Sequence, residues 1–334
     1  MNFEAKSVGI IGIGSSLPDK VLSNADLEKL VDTSDEWITK RTGISERRIL
    51  EKGTPAYTLG LEAARKALDD AKMSADELDL IIVATETPDY LTPSISCIIQ
   101  SHLGAVNAAA FDLNAACSGF VYALTTARQF IMTGYYKYIL IIGCEGLTKV
   151  VDWEDRNTCV LFGDGAGAAV LGPVENEYGI LSTHIGADGS LGHNITLPCC
   201  HITDVDLERR PGENKRTLWM EGGEVFKFAV RIMAQATQKV LDDAGILMEQ
   251  IKLIVPHQAN IRIIEGASKR LGISQEKVYA NVHKYGNISS ASIPVALDEV
   301  VRNGLVKKGD NIILVGFGGG LTWASALIRW SRED

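Results

Sequence analysis

Apolar residues along this chain come in two alternating rhythms. Short continuous runs at residues 8–13, 80–85, 109–113, 138–142 and 168–171 have strand length. Between them, residues 56–72, 93–104 and 117–132 show the spacing of one-sided helices. The second part repeats the order, with strands expected near 180–185, 253–255, 311–315 and 324–329, and helices at 225–243, 260–271 and 290–303. Strands that are apolar on both faces belong to sheets covered by helices on each side. Ser23-x-x-Asp26 has the form of a capping box ahead of a short helix. Residues 37–44 form a basic and aromatic patch in a loop or short helix, and the more polar stretch 172–219 suits surface loops.

The two parts also match in register. Lys66-Ala67-Leu68-Asp69-Asp70-Ala71 recurs as Lys239-Val240-Leu241-Asp242-Asp243-Ala244, an offset of 173 residues, and the strands at 80–82 and 138–143 repeat at the same offset. The pattern predicts an α/β fold made of two duplicated halves, 1–174 and 175–334, packed as helix–sheet–helix–sheet–helix. Ligand sites tend to form where two such units meet. At this offset Cys117 falls on Ser290, so the halves have diverged at a position of chemical interest.

A chain of 334 residues exceeds one ordinary core, in keeping with fused halves. Its net charge of −9 argues against non-specific nucleic-acid binding. No apolar run reaches membrane-spanning length, and the first residues lack a signal-peptide layout, so a cytoplasmic protein is expected. The six cysteines include no C-x-x-C pair. Cys97, Cys144 and Cys159 sit in apolar surroundings that suit packing, and the Cys199-Cys200-His201 run, with His193 nearby, lacks a metal-site spacing; no metal is expected.

Four segments could carry chemistry. At Asn114-Ala115-Ala116-Cys117-Ser118-Gly119-Phe120 a strand turns directly into a helix, placing the Cys117 sulfur where a helix N-terminus favours an anion. Lowering a thiol from about 8.5 to about 7 takes roughly 2 kcal/mol, the upper end of what a partly buried dipole supplies. The alternative is a small residue buried at a tight turn. His257, in Pro256-His257-Gln258-Ala259-Asn260-Ile261-Arg262, follows a strand, where α/β crevices lie; it is a catalytic candidate or a hydrogen-bonded core residue. Asn287 lies in a turn of small residues opening a helix, as a site residue or a cap. Gly316-Phe317-Gly318-Gly319-Gly320 follows a strand and either offers convergent N–H groups to an oxyanion or is a flexible turn. Gly12-x-Gly14 and residues 162–167 fit neither a dinucleotide fingerprint nor a P-loop, and tight turns account for both.

Taken together, A-A-C-S-G-F (115–120), F-G-D-G-A-G (162–167), P-H-Q-A-N-I-R (256–262), G-N-I-S-S-A-S-I-P (286–294), G-F-G-G-G-L-T-W (316–323) and W-I-T-K-R-T-G-I (37–44) resemble 3-oxoacyl-acyl-carrier-protein synthase III. The resemblance spans essentially the whole chain and implies a thiolase-like fold. It also implies an acyltransferase that initiates fatty-acid synthesis by condensing an acyl-CoA primer with malonyl-acyl-carrier protein, releasing CO₂ and CoA without metal or redox cofactor. Cys117 would be the nucleophile and His257 and Asn287 its partners, with the Cys117 and Gly319 N–H groups as oxyanion hole. Trp37, Arg41, Arg156, Phe226 and Asn260 would bind coenzyme A, and Thr92, Phe162 and Phe317 would line the acyl pocket. Arg262 would dock the acyl carrier protein; Lys269, seven residues on, shares its helix face, with Arg270 beside it. A homodimer follows from the family as well. The departure is Thr92, where narrow acetyl-specific members carry Phe reaching into the partner's pocket; a smaller residue there suits longer or branched primers. The competing readings are transfer of a Cys117-bound acyl group to a hydroxyl or amine without condensation, and a non-enzymatic carrier-binding fold.

Overall fold

A computed structural model describes residues 6–198 and 217–333. Its first half runs through β1 (Val8–Ser16), α1 (Asp35–Thr42), α2 (Tyr57–Ala71), β2 (Leu80–Ala84), α3 (Ile95–Leu103), β3 (Ala109–Leu113), α4 (Gly119–Met132), β4 (Ile139–Gly146) and β5 (Asp164–Pro173). The second half runs through β6 (Gly179–Ala187), α5 (Gly222–Ala244), β7 (Ile251–Pro256), α6 (Ile261–Leu271), α7 (Ser292–Arg302), β8 (Asn311–Gly318) and β9 (Thr322–Arg329). The chain passes from the last strand of the first sheet to the first strand of the second between Pro173 and Gly179.

The first half forms a five-stranded sheet in the order β1-β5-β4-β2-β3, with β2 parallel to both β4 and β3. The second forms a four-stranded sheet in the order β7-β8-β9-β6, with β7 and β8 parallel. The counterpart of edge strand β3 shrinks there to one isolated bridge, Ile254 to Val278. Helices α4 and α7 lie between the sheets in a core that includes Phe120, Leu124, Ile293 and Leu297. Leu68 of α2 and Ile99 of α3 pack on the outer face of the first sheet, and Phe228 of α5 and Ile263 of α6 on that of the second. The five expected layers are present because strands such as β4 and β8 are buried along their whole length and need cover on both faces.

The repeat extends to the turns between the layers. A short 3₁₀ turn at Ala116–Ser118 precedes α4, and another at Ser289–Ala291 precedes α7, 173 residues on. Each opens with a non-glycine residue in the left-handed region, Ala116 at φ 46° and Ser289 at φ 45°. Each is also tied by an asparagine two residues earlier. The Ala116 N–H donates to Asn114 Oδ1 at 3.1 Å, and the Ser289 N–H donates to Asn287 Oδ1 at 2.9 Å. The same elbow has been kept twice, once bearing Cys117 and once bearing Ser290.

Several expectations need correction. Neither glycine run is a turn: Gly12 and Gly14 lie inside β1, and Gly165 and Gly167 inside β5, paired with it. Their smallness admits helices, since a Cβ on Gly12 would sit 2.3 Å from the Ala67 carbonyl oxygen and one on Gly167 2.7 Å from Pro294 Cβ. The strand expected near 180–185 is present as β6, somewhat longer, within the otherwise polar stretch 172–219. Cys144 and Cys159 are buried as expected, whereas Cys97 is exposed. Cys199, Cys200 and His201 lie outside the described residues. Among the described residues no helix is long and apolar enough to cross a membrane.

Candidate active site

Three turns from both halves converge on one cavity of about 550 Å³ lined by Cys117, His257 and Asn287. Cys117 stands in the elbow between β3 and α4, half-buried. The end of β8 presses against it so closely that a Cβ on Gly318 would lie 2.5 Å from the Cys117 backbone nitrogen. Glycine is required there for that approach. His257 follows the last residue of β7, with its N–H bonded to the Val315 carbonyl at 2.8 Å and its ring edge-on to Phe317, centroids 5.5 Å apart. Asn287 is pinned by its backbone to the 161–163 segment through Asn287 N to Leu161 O (2.8 Å) and Gly163 N to Asn287 O (3.0 Å).

These placements define what each side chain can offer. His257 is 1 % exposed, and among the described residues neither ring nitrogen has a hydrogen-bond partner. Burial without a counter-charge lowers its pKa to about 3, so at neutral pH it is an uncharged imidazole with one N–H to give. Asn287 spends its carbonyl oxygen on the elbow, which turns its amide NH₂ into the donor available to the cavity.

For Cys117 the expectation of a standing anion is overturned. Burial pushes the thiol well above its ordinary value, and the carboxyls of Glu86 and Glu145 push it further, while a hydrogen bond with the Ser289 side chain opposes them. The start of α4 does lie two residues downstream, but the carboxyls of Glu86, just after β2, and Glu145, in β4, were not visible in the local pattern. At rest the sulfur is a thiol. Glu86 and Ser289 are the site residues that the sequence reasoning missed. Glu86 lines the cavity, and the Ser289 hydroxyl donates to its Oε1.

Comparison with known proteins decides the family. Residues 111–189 and 241–330 match the models of 3-oxoacyl-[acyl-carrier-protein (ACP)] synthase III and of its C-terminal part. The chain is 54 % identical over 329 residues to a beta-ketoacyl-[acyl-carrier-protein] synthase III of Caldanaerobacter subterraneus, covering 98 % of this chain and 99 % of that one. The corresponding protein of Clostridioides difficile is 52 % identical over 323 residues, with 97 % and 98 % covered. The crystal structure of the Aquifex aeolicus synthase III superposes with a TM-score of 0.90 at 49 % identity, covering 97 % of this chain and all of that one. The chain belongs to the 3-oxoacyl-[acyl-carrier-protein] synthase III family.

Against that family, four of the five residues expected to hold coenzyme A fall at the cavity. Trp37, Arg41, Phe226 and Asn260 line it. The Arg41 guanidinium lies 4.3 Å and that of Arg156 5.2 Å from the Trp37 ring centroid. Arg156 itself does not reach the cavity wall and is held outside by the Asp32 carbonyl at 2.8 Å. Asn260 also caps α6, accepting from the Arg262 N–H at 2.9 Å, and donates to the Arg41 carbonyl at 3.0 Å. Arg262, Lys269 and Arg270 are exposed on α6, with the Arg262 guanidinium over Phe226 at 5.7 Å; Glu265 interrupts the cationic stripe. Phe162, Phe317 and Gly319 line the cavity beside Cys117, whereas Thr92 does not: it sits exposed on a loop near the β3 edge.

Proposed function

We propose that Cys117, His257 and Asn287 carry out the decarboxylative condensation of an acyl-CoA with malonyl-acyl-carrier protein, the reaction that starts fatty-acid synthesis. The Cys117 sulfur attacks the acyl-CoA thioester carbonyl, the Cys117 and Gly319 N–H groups receive the oxyanion, and CoA leaves. Malonyl-carrier protein then enters, and its thioester carbonyl takes hydrogen bonds from the neutral His257 imidazole and the Asn287 amide. Loss of CO₂ builds negative charge on that oxygen, where both donors are already in place. The resulting carbanion attacks the acyl-Cys117 thioester and releases a 3-oxoacyl-carrier protein.

The observation that carries this reading is the unpartnered state of His257. Among the described residues a buried imidazole with both nitrogens unbonded shares its cavity with an amide whose oxygen is already committed, a pair of donors without an acceptor of its own. An oxygen of the substrate completes it.

Three further points belong to the proposal. Trp37, Arg41 and Arg156 grip the nucleotide end of CoA by ring and guanidinium stacking. The α6 stripe of Arg262, Lys269 and Arg270 docks the acidic carrier next to the mouth, since Arg262 covers Phe226 of the cavity wall. A homodimer forms through the open edge of β3, whose surroundings leave Leu91 65 % and Val106 76 % exposed, and Phe111 half-bare on the strand itself. In such a dimer Thr92 reaches the partner's pocket and leaves room for primers longer than acetyl. The test is CO₂ release from malonyl-carrier protein after acylation with primers of graded length. Acyl transfer to a hydroxyl or amine with no CO₂ would favour the plain acyltransferase.

A further inference from the structure

The reaction leaves one proton unaccounted for. The Cys117 thiol must lose its proton to attack the thioester, and the same sulfur needs a proton when condensation releases it. His257 is poorly suited to take it, because among the described residues no carboxylate or carbonyl supports an imidazolium there.

A hydrogen-bonded path leads elsewhere. Ser289 is a hydrogen-bond partner of Cys117, and its hydroxyl donates to Glu86 Oε1. Behind Glu86 lies Glu145, wholly buried, which accepts from the Thr87 hydroxyl at 2.6 Å, the Ser290 hydroxyl at 2.7 Å and the Glu86 N–H at 3.2 Å. Among the described residues neither carboxyl forms an ion pair. Two adjacent carboxyls without a cation, one wholly buried and one half-buried at the cavity wall, titrate as a unit and hold one shared proton near neutrality. Burial raises both, and the charge of Glu86 adds to it at Glu145, which is raised to about 8; this makes the remaining carboxylate a stronger base toward a thiol.

We propose that the Glu86–Glu145 pair stores the Cys117 proton for as long as the acyl group occupies the sulfur, receiving and returning it through the Ser289 hydroxyl. On acylation the Cys117 S–H bond breaks, its proton passes to the Ser289 oxygen, and the Ser289 proton passes to Glu86. The Cys117 sulfur bonds to the acyl carbon, the carbon–sulfur bond to CoA breaks, and the departing CoA thiolate takes a proton from solvent. On condensation the malonyl-derived carbon bonds to the acyl carbon. The Cys117 sulfur leaves as thiolate and recovers the stored proton by the reverse path. The cycle consumes one solvent proton, taken up at CoA, and the carboxyl pair ends as it began. This rests on Cys117 being the acylated nucleophile.

The storage can be counted. In weakly buffered solution at pH 7 with an indicator dye, a single turnover with acyl-CoA takes up close to one proton per acyl-Cys117 formed, because CoA is protonated while the thiol proton stays inside. In Glu86→Gln the thiol proton escapes to solvent and net uptake falls to zero. Single-turnover acylation also slows by about 10²-fold, the effect of losing a proton acceptor. Ser289→Ala cuts the same path and gives the same zero count, which keeps the test intact should the first variant fold poorly. Charge removal alone would speed acylation. Uptake of one proton by acylated Glu86→Gln, faster acylation by it, or no uptake in the unaltered protein would each overturn the proposal. Intact mass on the same samples separates the two levels, since absence of any acyl adduct in the unaltered protein refutes the nucleophile assignment itself.

Discussion

Replacing Asn287 by Asp isolates the donor role of this side chain from its structural one. The Asn287 oxygen accepts the Ser289 N–H at 2.9 Å, holding the second elbow. An alanine would leave that buried N–H unsatisfied, at about 1–3 kcal/mol, and so mix a folding defect with a catalytic one. Aspartate keeps the acceptor in place, removes the NH₂ donor, and puts negative charge where the enolate oxygen develops. Loss of one such donor costs on the order of 10²–10³-fold in rate, about 3–4 kcal/mol, and repulsion adds to it. The assay has two arms on one preparation: intact mass for acylation of Cys117, and CO₂ release once malonyl-carrier protein is added to the acyl-enzyme. The expected result is an acyl adduct formed within about tenfold of the normal rate and decarboxylation slowed by at least about 10²-fold. CO₂ release within about threefold of normal, or equal losses in both arms, would refute the reasoning.

Other outcomes follow from the same geometry. Gly318→Ala places a Cβ 2.5 Å from the Cys117 nitrogen; the displaced nucleophile should lower acylation by about 10²-fold, visible in an intact-mass time course. Arg262→Glu should raise the KM for malonyl-carrier protein far more than that for acyl-CoA, and flatten the salt dependence of the carrier step. Because burial lowers His257 to about 3, the decarboxylation rate should show no inflection near 6.5 from this residue. Glu145, raised to about 8 from 4.5, contributes stability that is present below pH 4.5 and lost as pH rises toward 8. Glu145→Gln should therefore raise Tm at pH 8 relative to the unaltered protein and change it little at pH 4.5, as scanning calorimetry can check.

Periodicity carried the layers and the repeat well, because strands such as β3 and β4 obey their own local pattern; residues 109–113 were bounded as the structure has them. The 173-residue offset set Cys117 against Ser290, and the structure shows that the match includes backbone conformation and the asparagine tie of each elbow. Where local pattern failed, the deciding partner was distant in sequence. Gly12 and Gly14 resemble turn residues until Ala67 of α2 packs against them. Cys97 resembles a core residue until α3 turns it outward. Glu86 is a lone acid after a strand, unremarkable until Ser289, 203 residues away, bonds to it. Its one clue was position: an acid at the carboxyl end of β2, where α/β crevices open. The thiol's state was misjudged for the same reason, since the helix start is local and the opposing carboxyls are not.

The account's central claim is that the Cys117 sulfur accepts an acyl group and yields it to a carbon released by decarboxylation. A chase followed by mass spectrometry tests it: the protein is acylated with acyl-CoAs of graded length, freed of CoA, and mixed with malonyl-carrier protein. The predicted result is an adduct that Cys117→Ala lacks, cleared with one CO₂ for each acyl group as the carrier becomes a 3-oxoacyl thioester. An adduct that persists, or one that leaves for a hydroxyl or amine with no CO₂, would contradict it.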